Sequence, residues 1–182
     1  SIIGGEGTEI GTANLLGGPN GILLRVEIAP GGLTPGWHGL HLHMIGDCSD
    51  IGTFKASGGH VGMIEGGHGL LNPKGPEGGD IPNIWAGADG AAGYEAFTTL
   101  TPMSDLTDAD GSAILIHEAE DDHMSQPIGG AGGRVACGNI LRQAAQDRLA
   151  HGSMARRIPP SCFEQDHPIE YRPAHGARTG RP

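Results

Sequence analysis

The chain has 182 residues, enough for one domain with a sizeable core and too few for two comfortable ones. Its 34 glycines and few aromatics suit short strands joined by turns better than helices. Residues 1–140 carry 4 Lys+Arg against 17 Asp+Glu, a net of −13, which is too acidic for a nucleic-acid binder.

Ser1–Gly5 lacks the charged and apolar regions of a signal peptide, which is read as absent or removed. Glu9 to Leu16 reads as a weak strand. Gly21 to Ile28 alternates Ile22, Leu24, Val26 and Ile28 with Leu23, Arg25 and Glu27, the period of a half-buried strand. Gly36 to Met44 is another strand and contains WHGLHLH. Gly46 to Asp80 is a long glycine-dense stretch, and a loop of that length in a compact domain is usually functional. Asn83 to Leu100 resembles a hairpin turning at Asp89–Gly90. Ser112 to Glu118 is a strand ending at a histidine, Glu120 to Gly133 a second loop, and Arg134 to Leu141 a last strand. No run approaches the roughly 18 apolar residues of a membrane-spanning helix. After Ile140 the character changes: Leu141 to Ala150 fits one short helix, and the rest of 141–182 is read as an irregular appendage.

The informative residues are histidines. His41 and His43 are two apart on a strand and so share one face, letting two imidazoles converge on one ion. His60 and His68 fall on the first long loop, His117 ends a later strand, and Asp80 offers a carboxylate. Imidazole-rich sets suit copper, zinc, iron or nickel. A single such histidine is more often a hydrogen-bonded core or surface residue; the ordered set argues otherwise. Of the three cysteines, Cys48, Cys137 and Cys162, none has CxxC spacing, and an odd count leaves one unpaired.

WHGLHLH, SGGHVG, GGDIPN, ILIHEAEDD and GGRVACG resemble, in this order, the signature segments of the copper-zinc superoxide dismutases, bacterial-type. The resemblance spans about residues 9–140 and implies an all-β fold: a Greek-key β-barrel or sandwich of seven to eight antiparallel strands with two long functional loops. It implies copper on His41, His43, His60 and His117, with His60 bridging to zinc and returning a proton to the substrate. It implies zinc on His60, His68 and Asp80, Asp121 as the carboxylate linking the two sites, Arg134 guiding superoxide, a Cys48–Cys137 disulfide, and a structural His38. The implied activity is disproportionation of superoxide to oxygen and hydrogen peroxide. The implied setting is the periplasm or outside the cell, with no nucleic acid or membrane partner and a homodimer as one assembly.

Three departures stand out. Glu77 occupies the position of the family's third zinc histidine, and a carboxylate can bind zinc in its place. The competing readings are a solvated Glu77 with weak zinc, or His123 recruited instead. The family's extra first strand is represented only by Ser1–Ile3, which exposes an edge. Ile128 stands at the channel mouth where animal enzymes carry a small hydroxyl residue. The alternatives to a dismutase are a copper carrier or chaperone on the same fold, a copper-only dismutase, and a di-metal hydrolase.

Overall fold

The computed structural model describes residues 1–140; the short helix, Cys162 and the remainder of the expected appendage lie outside the described residues. The chain divides into two units, Ser1–Gln143 and Ala144–Pro182, and the strands of the described residues all lie in the first. These are β1 (Ile2–Gly4), β2 (Glu9–Gly18), β3 (Gly21–Ile28), β4 (Gly36–His43), β5 (Asp80–Ala86), β6 (Ala92–Thr98), β7 (Ser112–His117) and β8 (Arg134–Ile140) among the described residues. A single turn of helix, α1 (Met103–Leu106), precedes β7.

All eight strands join one antiparallel sheet in the order β5-β4-β7-β8-β1-β2-β3-β6. The two ends, β5 and β6, pack beside one another, so the sheet curls into a nearly closed barrel. This is the all-β barrel expected. The turn at Asp89–Gly90 is present, with Gly87 N–H donating to Ala91 O at 2.8 Å. The flanking strands nevertheless do not form the expected hairpin: β5 pairs with β4, and β6 with β3. The short first strand is real. Ile3 sits opposite Glu9 on one side and Cys137 on the other, so β1 bridges β2 and β8.

Alternation along the strands builds two cores. Leu40 and Leu42 of β4, with Ile114 and Ile116 of β7, point into the barrel among Ile22, Leu24, Val26, Ile81 and Ile84. Fully burying each such side chain contributes about 1.5–3 kcal/mol. The residues between them face the other way. Ala113 and Leu115 join Cys48, Phe54 and Cys137 in a second cluster beneath the loop after β4. On that outer face lie His41, His43 and His117, one strand position out of phase with the barrel core. Both faces of β7, and of β4 from His38 onward, are therefore buried, one by the barrel and one by loops.

Candidate metal centre

The loop 44–79 folds back along β4. His43 and His60 form a bridge pair, and Val61 N–H donates to Leu42 O at 2.9 Å, which lays His60 beside the histidines of the strand. The Cys48–Cys137 disulfide, with a Cα–Cα distance of 5.8 Å, fastens the start of this loop to β8. The four rings gather closely: the centroid of His41 is 4.4 Å from that of His60 and 4.8 Å from that of His117, and His43 is 5.0 Å from His60.

Each ring has one nitrogen held by protein and one without a partner. His41 Nε2 lies 2.8 Å from Asp121 Oδ2, His43 Nδ1 2.9 Å from Gly58 O, His60 Nδ1 2.8 Å from Glu77 Oε2, and His117 Nδ1 3.2 Å from Gly132 O. The opposite atoms, His41 Nδ1, His43 Nε2, His60 Nε2 and His117 Nε2, are buried with no hydrogen-bond partner. Buried polar atoms are normally paired, and an orphan costs about 1–3 kcal/mol. Imidazole nitrogens of this kind suit a nitrogen-preferring ion such as copper; the ligating atoms of His41, His43 and His60 lie within 4.8 Å of one another, while the His117 ring stands 6.2 Å from that of His43. Burial, then neighbouring positive charge, pushes His43 down to about 2, His60 to about 3 and His117 to about 4, so all three rings are neutral near neutrality, the form that ligates.

The far side of His60 opens on a second group. The ligating atoms of His60, His68, Glu77 and Asp80 all lie within 4.8 Å of one another, and all four residues are buried. His68 Nδ1 is 2.8 Å from Asp80 Oδ1, and His60 Nδ1 is 3.6 Å from the same oxygen. Glu77 is only 4% exposed. That rules out a solvated loop side chain, one of the readings the sequence left open. Its other oxygen accepts from Ile64 N–H at 3.0 Å, and its own N–H donates to Asp80 Oδ2 at 2.8 Å. Burial raises the Glu77 carboxyl above its ordinary range. Two nitrogens and two carboxylates within this radius fit a tetrahedral zinc site. His123 is outside this group and faces Asp121, with Nδ1 3.5 Å from Oδ2.

Asp121 ties the groups together, with Oδ2 on His41 and Oδ1 3.2 Å from His68 Nε2. Burial opposes its charge, but hydrogen bonds from His41 and His68 outweigh that and hold it well below the carboxylate range. Gly129 makes room for it: at φ +61°, a Cβ there would collide with Asp121 Oδ1. Asn83 is a further participant that no sequence motif pointed to as functional. Its amide donates to Asp121 O at 2.8 Å and its Oδ1 accepts from Asp121 N–H at 3.1 Å. Asn83 lies in the GGDIPN segment, but nothing local marks it as a clamp on a residue 38 positions away.

Arg134 donates from Nη1 to Phe54 O at 2.6 Å and Ser57 Oγ at 3.0 Å, and from Nη2 to Gly58 O at 2.8 Å. Nε and one Nη2 hydrogen remain for an anion. With His43, His60 and Ile128 it lines a cleft of about 310 Å³. Both ring nitrogens of His38 meet backbone carbonyls, Nδ1 2.7 Å from His117 O and Nε2 2.8 Å from Thr34 O.

Residues 10–140 match the family described as copper/zinc superoxide dismutase (SODC). The chain is 48% identical over 143 residues to a superoxide dismutase [Cu-Zn] of Caulobacter vibrioides, covering 75% of this chain and 80% of that protein. It is 38% identical over 145 residues to superoxide dismutase [Cu-Zn] 2 of Aquifex aeolicus, covering 76% and 83%. Among solved structures it resembles a SOD-like protein from Bacillus subtilis, 32% identical with a TM-score of 0.68, covering 77% of this chain and 95% of that one.

Proposed function

Because this chain belongs to the copper/zinc superoxide dismutase family, we propose that the four orphaned ring nitrogens hold the copper on which superoxide is disproportionated to oxygen and hydrogen peroxide. Copper and zinc are the cofactors, and superoxide is the substrate. In this reading His41, His43, His60 and His117 hold copper, and His60, His68, Glu77 and Asp80 hold zinc. When bound, copper supplies one-electron oxidation and reduction, while zinc keeps a fixed oxidation state.

The chain's own residues do the rest. Arg134 attracts the anion into a cleft of an otherwise acidic domain, because a recessed positive charge focuses the local field. Its three bonds to loop acceptors fix the guanidinium, so little side-chain freedom is lost on binding. His60 is the proton carrier: Nε2 has no protein partner, and Nδ1 stays anchored toward Glu77 and Asp80. Asp121 sets the ring orientation of His41 and His68 together, since one carboxylate contacts both.

The proposed domain layout is a dismutase domain over 1–140 and an appendage over 141–182. The proposed setting is periplasmic or secreted, supported by the Cys48–Cys137 disulfide. The homodimer and the absence of nucleic-acid and membrane partners are carried as part of the same reading. No helix among the described residues is long and apolar enough to cross a membrane.

The observation that carries the reading is the set of orphaned nitrogens on one face. Its test is superoxide consumption by the full chain reconstituted with copper, with and without zinc. Full copper occupancy without activity would defeat it in favour of a copper carrier.

A further inference from the structure

Two methionines frame the segment that leads into His60. Met44 directly follows His43, and Met63 comes three residues after His60. A Cβ built on Gly59 would stand 2.7 Å from Met63 Sδ and 3.6 Å from Met44 Cε, and one built on Gly58 would stand 3.1 Å from Met44 Cγ. Both thioether chains therefore lie against the Gly58–Gly59 backbone. The same backbone is tied to the metal cluster: Gly58 O holds His43 Nδ1, and Gly59 O accepts from Met44 N–H at 2.9 Å.

Core packing does not explain these side chains. Met103 packs against the barrel core, whereas Met63 is 65% exposed and Met44 40% exposed. Met63 lines the same cleft as His43, His60 and Arg134. Met44 lines an adjoining groove with Asp105 and Asp108, whose carboxylates favour an approaching cation.

We propose that Met44 and Met63 form an outer docking station for copper(I), from which the ion passes to His43 and His60. Thioether sulfur is a soft ligand that selects copper(I) over the harder divalent ions. The two imidazoles that would receive it carry orphaned Nε2 atoms. Met63 and Gly59 share one cleft with His43 and His60, so an ion released from sulfur is delivered to the cleft that the two imidazoles line. Copper arrives and changes ligands with no change of oxidation state. This inference rests on the copper reading above.

Silver(I), a redox-inert probe of similar softness, is titrated into the full chain carrying Cys162→Ser, which removes the competing thiol, and 13C-methyl methionine. Met44 and Met63 methyl resonances should shift together with the first additions, while Met103 and Met124 stay in place. In the second arm, a M44L/M63L double variant is compared with the parent for copper(I) uptake from a thiol-buffered donor. The variant should load more slowly, on the order of tenfold, the scale on which an auxiliary metal contact acts, and reach the parent's final copper content. Silver shifts at Met124 equal to those at Met63, or parent-rate loading by the double variant, would overturn the station. A parent chain that never takes up copper would instead defeat the copper reading, and the silver arm would still decide whether the two thioethers bind a soft ion.

Discussion

His60 turns its Nδ1 to Glu77 Oε2 at 2.8 Å and leaves its Nε2 without a partner, so a single ring addresses two groups of ligands. If Glu77 completes the second group, Glu77→Ala should lose zinc by more than the ~10–100-fold that removal of a supporting residue costs. Copper content should stay near the parent's. Glu77→His should keep zinc. Elemental analysis after dialysis reads both, and unchanged zinc in the alanine variant would remove Glu77 from the site.

Asp121 contacts a histidine of each group, so its loss should act on both metals. Asp121→Asn keeps the shape but removes the charge, and it should weaken copper and zinc retention by ~10–100-fold each. Competition with a chelator measures the two separately. A fall in only one metal would contradict the shared-carboxylate role.

Arg134 has two duties that substitution can separate. Arg134→Ala should lower the rate and flatten its dependence on ionic strength, because the steering charge is gone. It also removes the bonds to Phe54 O and Gly58 O, each worth about 0.5–1.5 kcal/mol, although Phe54 O keeps Ser57 Oγ and Gly58 O keeps His43 Nδ1 as partners. Arg134→Lys should recover much of the salt dependence and little of the stability, since an ammonium cannot reach as a planar fork. Rates at several salt concentrations and thermal melts distinguish these outcomes.

The metal-free protein should be acid-labile. His43, His60 and His117 are pushed down to about 2, 3 and 4, while an unfolded histidine titrates near ~6.5. Below that value the unfolded chain binds more protons than the native one, so stability falls as pH falls. His68 acts in the opposite sense: burial lowers it, but hydrogen bonds to Asp121 and Asp80 raise it to about 10. Its contribution is complete below ~6.5 and is lost as pH rises through about 10. Melts of chelator-treated protein from pH 4 to 10 should trace a maximum between the two arms, and a flat profile would contradict both.

Cys48–Cys137 closes a loop spanning 89 positions, for which chain entropy gives roughly 4–5 kcal/mol. A Cys48→Ser, Cys137→Ser double variant should lose up to that amount. It should also lose activity beyond its loss of folded protein, because the loop that supplies Phe54 O and Gly58 O to Arg134 is then untethered. Activity normalised to folded fraction is the deciding measurement.

Much of this was legible in the residues. Alternation at Ile22–Ile28 and the His41/His43 spacing report local geometry, and local geometry is what a strand period encodes. The partners of β5 and β6 were not legible, because the tight turn at Asp89–Gly90 predicts a hairpin whatever the remote strands do. Glu77 was visible as a departure, but only its burial against His60 separates a ligand from a solvated side chain. Asn83 and Met63 gave no local signal, since each matters through residues that are near only once the loops have folded.

The four bare nitrogens also bear on the lifetime of the protein. A ligand that binds only the native state adds to its stability in proportion to the logarithm of its free concentration. The metal-free chain keeps those nitrogens buried and unmatched. It opens more often, and a protease that cleaves opened chains removes it faster. The amount of this protein that a cell keeps then becomes a gauge of the copper within its reach, with no separate sensor required.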